Sequence, residues 1–300
     1  MYSKILIPLD GSKTAEKVLP YARYLASKLE IPVELLAVVD IAELAAHTAA
    51  EKARFIHGII EEGERSSKEY LRNVAGTFGD VKVHCSVERG RADEVIVEKG
   101  EADTAMLIAM ATHGRSGLNR FLLGSIAEKV LRGAVNPLLL VRATEEEADA
   151  EAAFKTMIVP LDGSEIAESV LPMAAGTAKK LGLEVVLFRA YHVPFNAYAG
   201  DEGYYAVNYD ELISAVREEA EEYLEKKVAE VKKLGVEKVS ALAKEGFAGD
   251  EIISIGRKTP KGLIAMCSHG RSGVRRWVLG SVTENVVRHT IDPVLVSRPG

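Results

Sequence analysis

The chain repeats itself. Residues 8–20, beginning Pro-Leu-Asp-Gly-Ser, return at 160–172 with ten of thirteen positions identical, at an offset of 152. Residues 112–142 return at 268–298 with fifteen of thirty-one identities, at an offset of 156. A period of about 150 residues lets each copy bury its own core, which separates a domain duplication from a solenoid of short stacked repeats. The expected organisation is a first domain at 1–143, an acidic linker at 144–153 and a second domain at 154–300. The linker is polar and lacks the apolar periodicity needed to bury a face.

Within the first copy, β-branched and leucine-rich runs at 4–9, 32–39, 81–87, 105–109 and 137–141 predict strands. Apolar residues at three- and four-residue spacing predict helices at 14–29, about 50–78, 92–99 and 125–132. Strand and helix alternate, and the strands are apolar on both faces. That pattern indicates an α/β chain of two tandem doubly wound domains, each a five-stranded parallel sheet covered by helices on both sides.

Composition removes several classes of function. No apolar run approaches the roughly 18 residues of a membrane span. The amino-terminal run Ile5-Leu6-Ile7 is soon interrupted by Asp10, unlike a signal peptide, so a cytoplasmic location is expected. Cys85 and Cys267 fall in apolar contexts in different copies, which points to reduced, buried thiols. A formal charge of −6 argues against nucleic acid or an anionic membrane as partner.

Ligands of an open α/β sheet bind beyond the carboxyl ends of its strands, where strand order reverses. There strand one delivers Asp10, and Asp162 in the second copy; strand four delivers Ala111-Thr-His-Gly-Arg-Ser-Gly117, and Cys267-Ser-His-Gly-Arg-Ser-Gly273. Gly124-Ser125 and Gly280-Ser281 then open a helix whose first-turn amides form a ready anion site. Gly114, Gly117 and Gly124 let backbone approach phosphate oxygens, and Arg115 and Arg120 add charge; Gly270, Gly273 and Arg271 stand in the second copy. Ser125 with Glu128, and Ser281 with Glu284, also fit a capping box. Asp10 and Asp162 can orient a ribose or a phosphate-bound Mg²⁺, or simply bind the backbone of their own Asp-Gly-Ser turn. His113 and His269 read as loop-stabilising residues, since no orienting acid or nucleophile stands at a telling spacing. There is no P-loop and no dinucleotide fingerprint.

At these residues the chain resembles the universal stress protein family, over almost the whole of both copies. Nucleotide-binding members carry G-x₂-G-x₉-G-[ST] after strand four; Gly114 and Gly270 match its second glycine, Gly124 and Gly280 its third, Ser125 and Ser281 its hydroxyl. The first glycine is replaced by Ala111 and Cys267, whose Cβ atoms narrow the place where backbone meets ligand. The resemblance implies strand order 3-2-1-4-5, an adenine nucleotide α-hydrolase-like fold, and apolar fifth strands able to pair with each other. It also implies a pocket for ATP, ADP or AMP, with Mg²⁺ accompanying the nucleotide at Asp10 and Asp162. Pro8, Val38, Met110 and Ile126 would line that pocket in one copy, and Pro160, Ala190, Met266 and Val282 in the other.

The leading expectation is a regulatory or sensor module that binds an adenine nucleotide with little turnover and is not an enzyme, slow ATP hydrolysis being left open. The alternative is a stress-response interaction protein that binds no nucleotide and presents its duplicated fold to protein partners; the Ala111 and Cys267 substitutions favour it. A phosphotransferase or adenylating enzyme is a third reading, disfavoured by the plain Asp-Gly-Ser turn. A homodimer of tandem chains is a further expectation.

Overall fold

The computed structural model describes residues 2–40, 56–112, 123–142, 152–193, 209–270 and 279–298. The chain forms two compact units: Met1–Ala153 with Arg275–Leu279 and Pro293–Arg298, and Phe154–Val274 with Gly280–Asp292 and Pro299–Gly300. Most of the expected linker lies outside the described residues.

The first unit holds β1 (Ile5–Pro8), β2 (Val33–Val39), β3 (Val83–Arg89), β4 (Leu107–Ala111) and β5 (Leu138–Val141), all parallel, in the order β3-β2-β1-β4-β5. This is the expected order. Ile5 pairs with Val33 on one side and Leu107 on the other, so strand order reverses at β1, and the carboxyl ends of β1 and β4 are where such a sheet places its ligand crevice. Helices α1 (Lys13–Glu16), α2 (Leu19–Leu29), α3 (Ile56–Ala75), α4 (Ala92–Ala102) and α5 (Ser125–Gly133) connect and cover the strands. Ile5, Leu6, Ile7, Leu107, Ile108 and Ala109 are fully buried, as a sheet covered on both faces requires.

The second unit repeats the plan with β6 (Thr156–Pro160), β7 (Glu184–Tyr191), β8 (Val239–Glu245) and β9 (Gly262–Cys267), parallel in the order β8-β7-β6-β9. Its helices are α6 (Glu165–Glu168), α7 (Leu171–Leu181), α8 (Tyr209–Lys233), α9 (Ala248–Lys258) and α10 (Ser281–His289). The last strand, β10 (Val294–Ser297), groups with the first unit, where it runs antiparallel to β5 with Leu295 opposite Leu139. The apolar edge of β5 is thereby paired.

The expected helix at 14–29 divides in two. Pro20 lacks the amide that would bond the Glu16 carbonyl, so α1 stops and Pro20 sits in the first turn of α2, where a missing N–H costs nothing. Pro172 does the same between α6 and α7. Both α2 and α7 end on a left-handed residue, which is Glu30 (φ 56°) in one copy and Gly182 (φ 67°) in the other.

The copies diverge in two buried places. In the first, Glu34 is buried against Lys4 (2.7 Å) and Lys99 (2.9 Å) and accepts from Ser86 (3.0 Å). The corresponding residues of the second copy are Val186, Thr156, Ile255 and Leu242. Elsewhere a Cβ on Gly100 would lie 2.2 Å from Asn136 Oδ1, and one on Gly256 would lie 2.4 Å from Asp292 Oδ2. The same glycine-lined space thus receives an amide in one copy and a carboxyl in the other.

Candidate functional site

The strand-one turn is built identically in both units. Gly11 (φ 81°) and Gly163 (φ 86°) adopt left-handed backbone that turns the chain sharply after β1 and β6. Asp10 Oδ1 then accepts the Ser12 amide at 2.9 Å and its hydroxyl at 2.6 Å, and Ser12 Oγ accepts the Ala15 amide at 3.1 Å as the N-cap of α1. Asp162, Ser164 and Ala167 repeat these contacts at 2.9, 2.6 and 3.1 Å. The turn-stabilising role weighed for the two aspartates is therefore present, and it occupies one carboxylate oxygen.

The other oxygen of Asp162 faces the strand-four loop. A Cβ on Gly270 would lie 2.4 Å from Asp162 Oδ2, so glycine is required where the loop passes the carboxylate. Gly280 returns to the same place: its amide donates to the Ser268 carbonyl at 2.9 Å, and a Cβ on it would lie 3.2 Å from that oxygen and 3.4 Å from His269 Cα. In the first unit the Gly124 amide donates to the Thr112 carbonyl at 2.7 Å. The exit of the fourth strand and the start of the following helix are thus stitched together by one backbone bond in each copy.

The capping boxes do not form. Gly124 and Gly280 are the N-caps, with extended backbone and no side-chain acceptor, and Ser125 and Ser281 are the first helical residues. Glu128 and Glu284 turn the other way, to Arg132 (3.2 Å) and Arg288 (2.9 Å) one turn on. A glycine N-cap lets backbone pass close and leaves the first-turn amides without the usual side-chain oxygen, which suits an external anion.

Cys267, at the position of the motif's first glycine, is buried, with Sγ 3.6 Å from Ser169 Oγ; its carbonyl accepts from the buried Thr283 hydroxyl at 2.9 Å. The first copy has Ala111, Lys17 and Ala127 at these positions. His269 is buried, with Nδ1 2.9 Å from Ser268 Oγ, which fits the loop-stabilising role. Pro8 and Pro160 end their strands, Met110, Met266 and Ala111 are buried beside the crevice, and Val38 and Ala190 are half-buried near the ends of β2 and β7. Ile126 and Val282 are exposed in the first helical turn. His113, Gly114, Arg115, Gly117, Arg120, Arg271 and Gly273 lie outside the described residues.

One pair beside the site was missed from sequence. Tyr70 and Tyr223, on α3 and α8, donate to Glu16 (3.2 Å) and Glu168 (2.8 Å) at the ends of α1 and α6. Burial and then the carboxylates, with Asp10 and Asp162 contributing charge, push both phenols above their ordinary range and keep them as O–H donors. The recurrence of Glu16 as Glu168, and of a tyrosine on each long helix, was the available signal.

Residues 1–142 and 153–298 each match the profile of the Universal stress protein family. The chain belongs to that family, twice over. Universal stress proteins of Methanocaldococcus jannaschii are similar to single copies: one is 33% identical over 147 residues, covering 49% of this chain and 86% of the relative, and another is 30% identical over 155 residues, covering 47% and 96%. The crystal structure of a universal stress protein from Archaeoglobus fulgidus matches the full length of both chains with a TM-score of 0.73 at 21% identity, which shows the shared tandem fold. No helix among the described residues of this stress protein is long and apolar enough to cross a membrane.

Proposed function

We propose that this tandem stress protein is a regulatory module that binds ATP, or ADP or AMP, with little turnover. The observation that carries the reading is the convergence in the second unit: Asp162 Oδ2, the glycine backbone at 270 and the uncapped start of α10 at Gly280 meet beyond the carboxyl ends of β6 and β9. Such a place offers amides to phosphate, a carboxylate to a ribose, and no room for a side chain in between. Asp10, Gly124 and the start of α5 would serve the first unit in the same way.

Among the described residues no group of three or more His, Cys, Asp or Glu can hold a metal ion. Mg²⁺ would then arrive bound to the phosphates and touch the protein through Asp10 or Asp162, as is usual for this cation. The buried His269, turned to Ser268, is poorly placed as a general base, in keeping with slow turnover. We assign the copies to 1–143 and 154–300 and place the protein in the cytoplasm.

Calorimetric titration of the nucleotide-stripped protein with ATP·Mg²⁺ tests this, with Gly124→Val and Gly280→Val each removing one site. Binding that disappears with the matching variant is expected. No heat and no rise in melting temperature at millimolar ATP would instead favour the interaction protein.

A further inference from the structure

Two rings stand together at the sheet edge of the second unit. β7 ends at Tyr191 and hands the chain to His192; β8 ends at Glu245 and turns at Gly246 (φ 144°), whose amide donates to the Tyr191 carbonyl at 2.8 Å. The next residue, Phe247, places its ring centroid 5.3 Å from that of His192, with the planes tilted by 44°. At 69% exposure Phe247 is the most exposed large apolar side chain among the described residues.

Among the described residues nothing asks for phenylalanine there. It occupies the N-cap of α9 without supplying a capping acceptor, where Ser, Thr, Asp or Asn would stabilise the helix. It also gains little burial. The first copy builds the same backbone corner, with Gly90 (φ 136°) donating to the Val39 carbonyl at 3.1 Å, but carries Asp40 and Arg91 at these positions, and Arg91 pairs with Asp93 and Glu94 at 3.1 Å. One scaffold presents charge and the other a pair of rings.

The rings leave the sheet at the same carboxyl-terminal edge as the site. The Leu161 amide bonds the Phe188 carbonyl at 2.8 Å, so Asp162, His192 and Phe247 leave three neighbouring parallel strands at one edge of the sheet. At about 4.8 Å per strand, the strand carrying Phe247 lies roughly 10 Å from that carrying Asp162, within the reach of one nucleoside.

We propose that His192 and Phe247 form a stacking platform for the base of a purine nucleotide whose phosphates sit at the start of α10, so that the second unit holds the base through a surface that the first unit lacks. The proposal rests on the nucleotide-binding reading above. Stacking on an aromatic face is tolerant of base identity, and it leaves the phosphate contacts untouched when the ring is removed.

The test uses the full chain carrying Gly124→Val, so that binding reports the second unit, titrated with ATP and separately with inorganic tripolyphosphate. Phe247→Ala should weaken ATP by about tenfold and leave tripolyphosphate unchanged, stacking being the part lost. Because Phe247 is exposed, the melting temperature of the free variant should match that of its parent. Phe247→Trp, with Trp277, the only tryptophan, changed to Phe, should retain ATP and be quenched by it but not by tripolyphosphate. The platform is overturned if Phe247→Ala and His192→Ala bind ATP as the parent does while Gly280→Val abolishes binding. It is equally overturned if ATP and tripolyphosphate bind alike. If the parent binds neither compound, the nucleotide reading itself fails and the platform falls with it.

Discussion

Asp162 Oδ2 occupies the space into which a side chain on Gly270 would project, with 2.4 Å between the oxygen and the Cβ that glycine lacks. The contact is to a carboxylate whose other oxygen, Oδ1, is held by the Ser164 amide and hydroxyl, so the group cannot yield cheaply. Gly270→Ala should displace either the carboxylate or the loop, lower the stability of the second unit by about 1–3 kcal/mol and weaken any ligand held there. Urea denaturation and ATP titration of the same variant check both effects.

Glu30 and Gly182 end corresponding helices in the same left-handed conformation, which only glycine adopts without steric cost. Glu30→Gly should therefore stabilise the first unit by about 0.5–1 kcal/mol, and Gly182→Glu should destabilise the second by a similar amount. Thermal melts of the two variants are the measurement.

Glu34 links pH to the stability of the first unit. Burial opposes its charge, but hydrogen bonds and charge from Lys4 and Lys99 outweigh burial and hold the carboxyl at about 2, against an ordinary 4.5. A depressed acid contributes stability above its unfolded value and loses it as pH falls, so the urea midpoint should drop between pH 4.5 and 2. Glu34→Gln should cost about 1–3 kcal/mol at pH 7 and flatten that slope. The second copy, apolar at all but one of these positions, lacks this contribution.

Asp292 carries the opposite sign. Burial raises its carboxyl above the ordinary range, against the hydrogen bond from Thr290 at 2.9 Å. A raised acid stabilises most when protonated and loses that contribution as pH rises through its folded value. Asn136 fills the equivalent space with an amide that donates to the Asp103 and Met106 carbonyls at 2.8 and 3.2 Å. Asp292→Asn should raise the melting temperature at pH 7 and give no gain near pH 3.5, below the ordinary value of 3.8.

The repeat made the two α/β units legible, because strand runs and crossover helices recur in both copies at nearly constant offsets, and the strand order in the first unit followed from the family resemblance. The strand-one turn was equally readable, since Asp-Gly-Ser states its own hydrogen bonds. The capping box was misread because Ser-x-x-Glu is a local pattern, whereas Gly124 and Gly280 take the cap through backbone bonds to residues twelve positions earlier. The glycines at 100 and 256 were similarly mute, and Gly270 was read only as a ligand contact: each is required by an oxygen distant in sequence, and a spacing rule sees only neighbours.

The short helices α1 and α6 make the strand-one turn a local reporter. Asp10 holds the Ser12 hydroxyl, which in turn holds the Ala15 amide, and Asp162 reaches the Ala167 amide through Ser164 in the same way. A ligand that draws on either carboxylate must loosen or reinforce that chain of bonds, and the change arrives at two amide protons per unit, directly at the serine and through its hydroxyl at the alanine. Hydrogen exchange at Ala15 and Ala167 would then report occupancy of the two copies separately, in a single unlabelled chain.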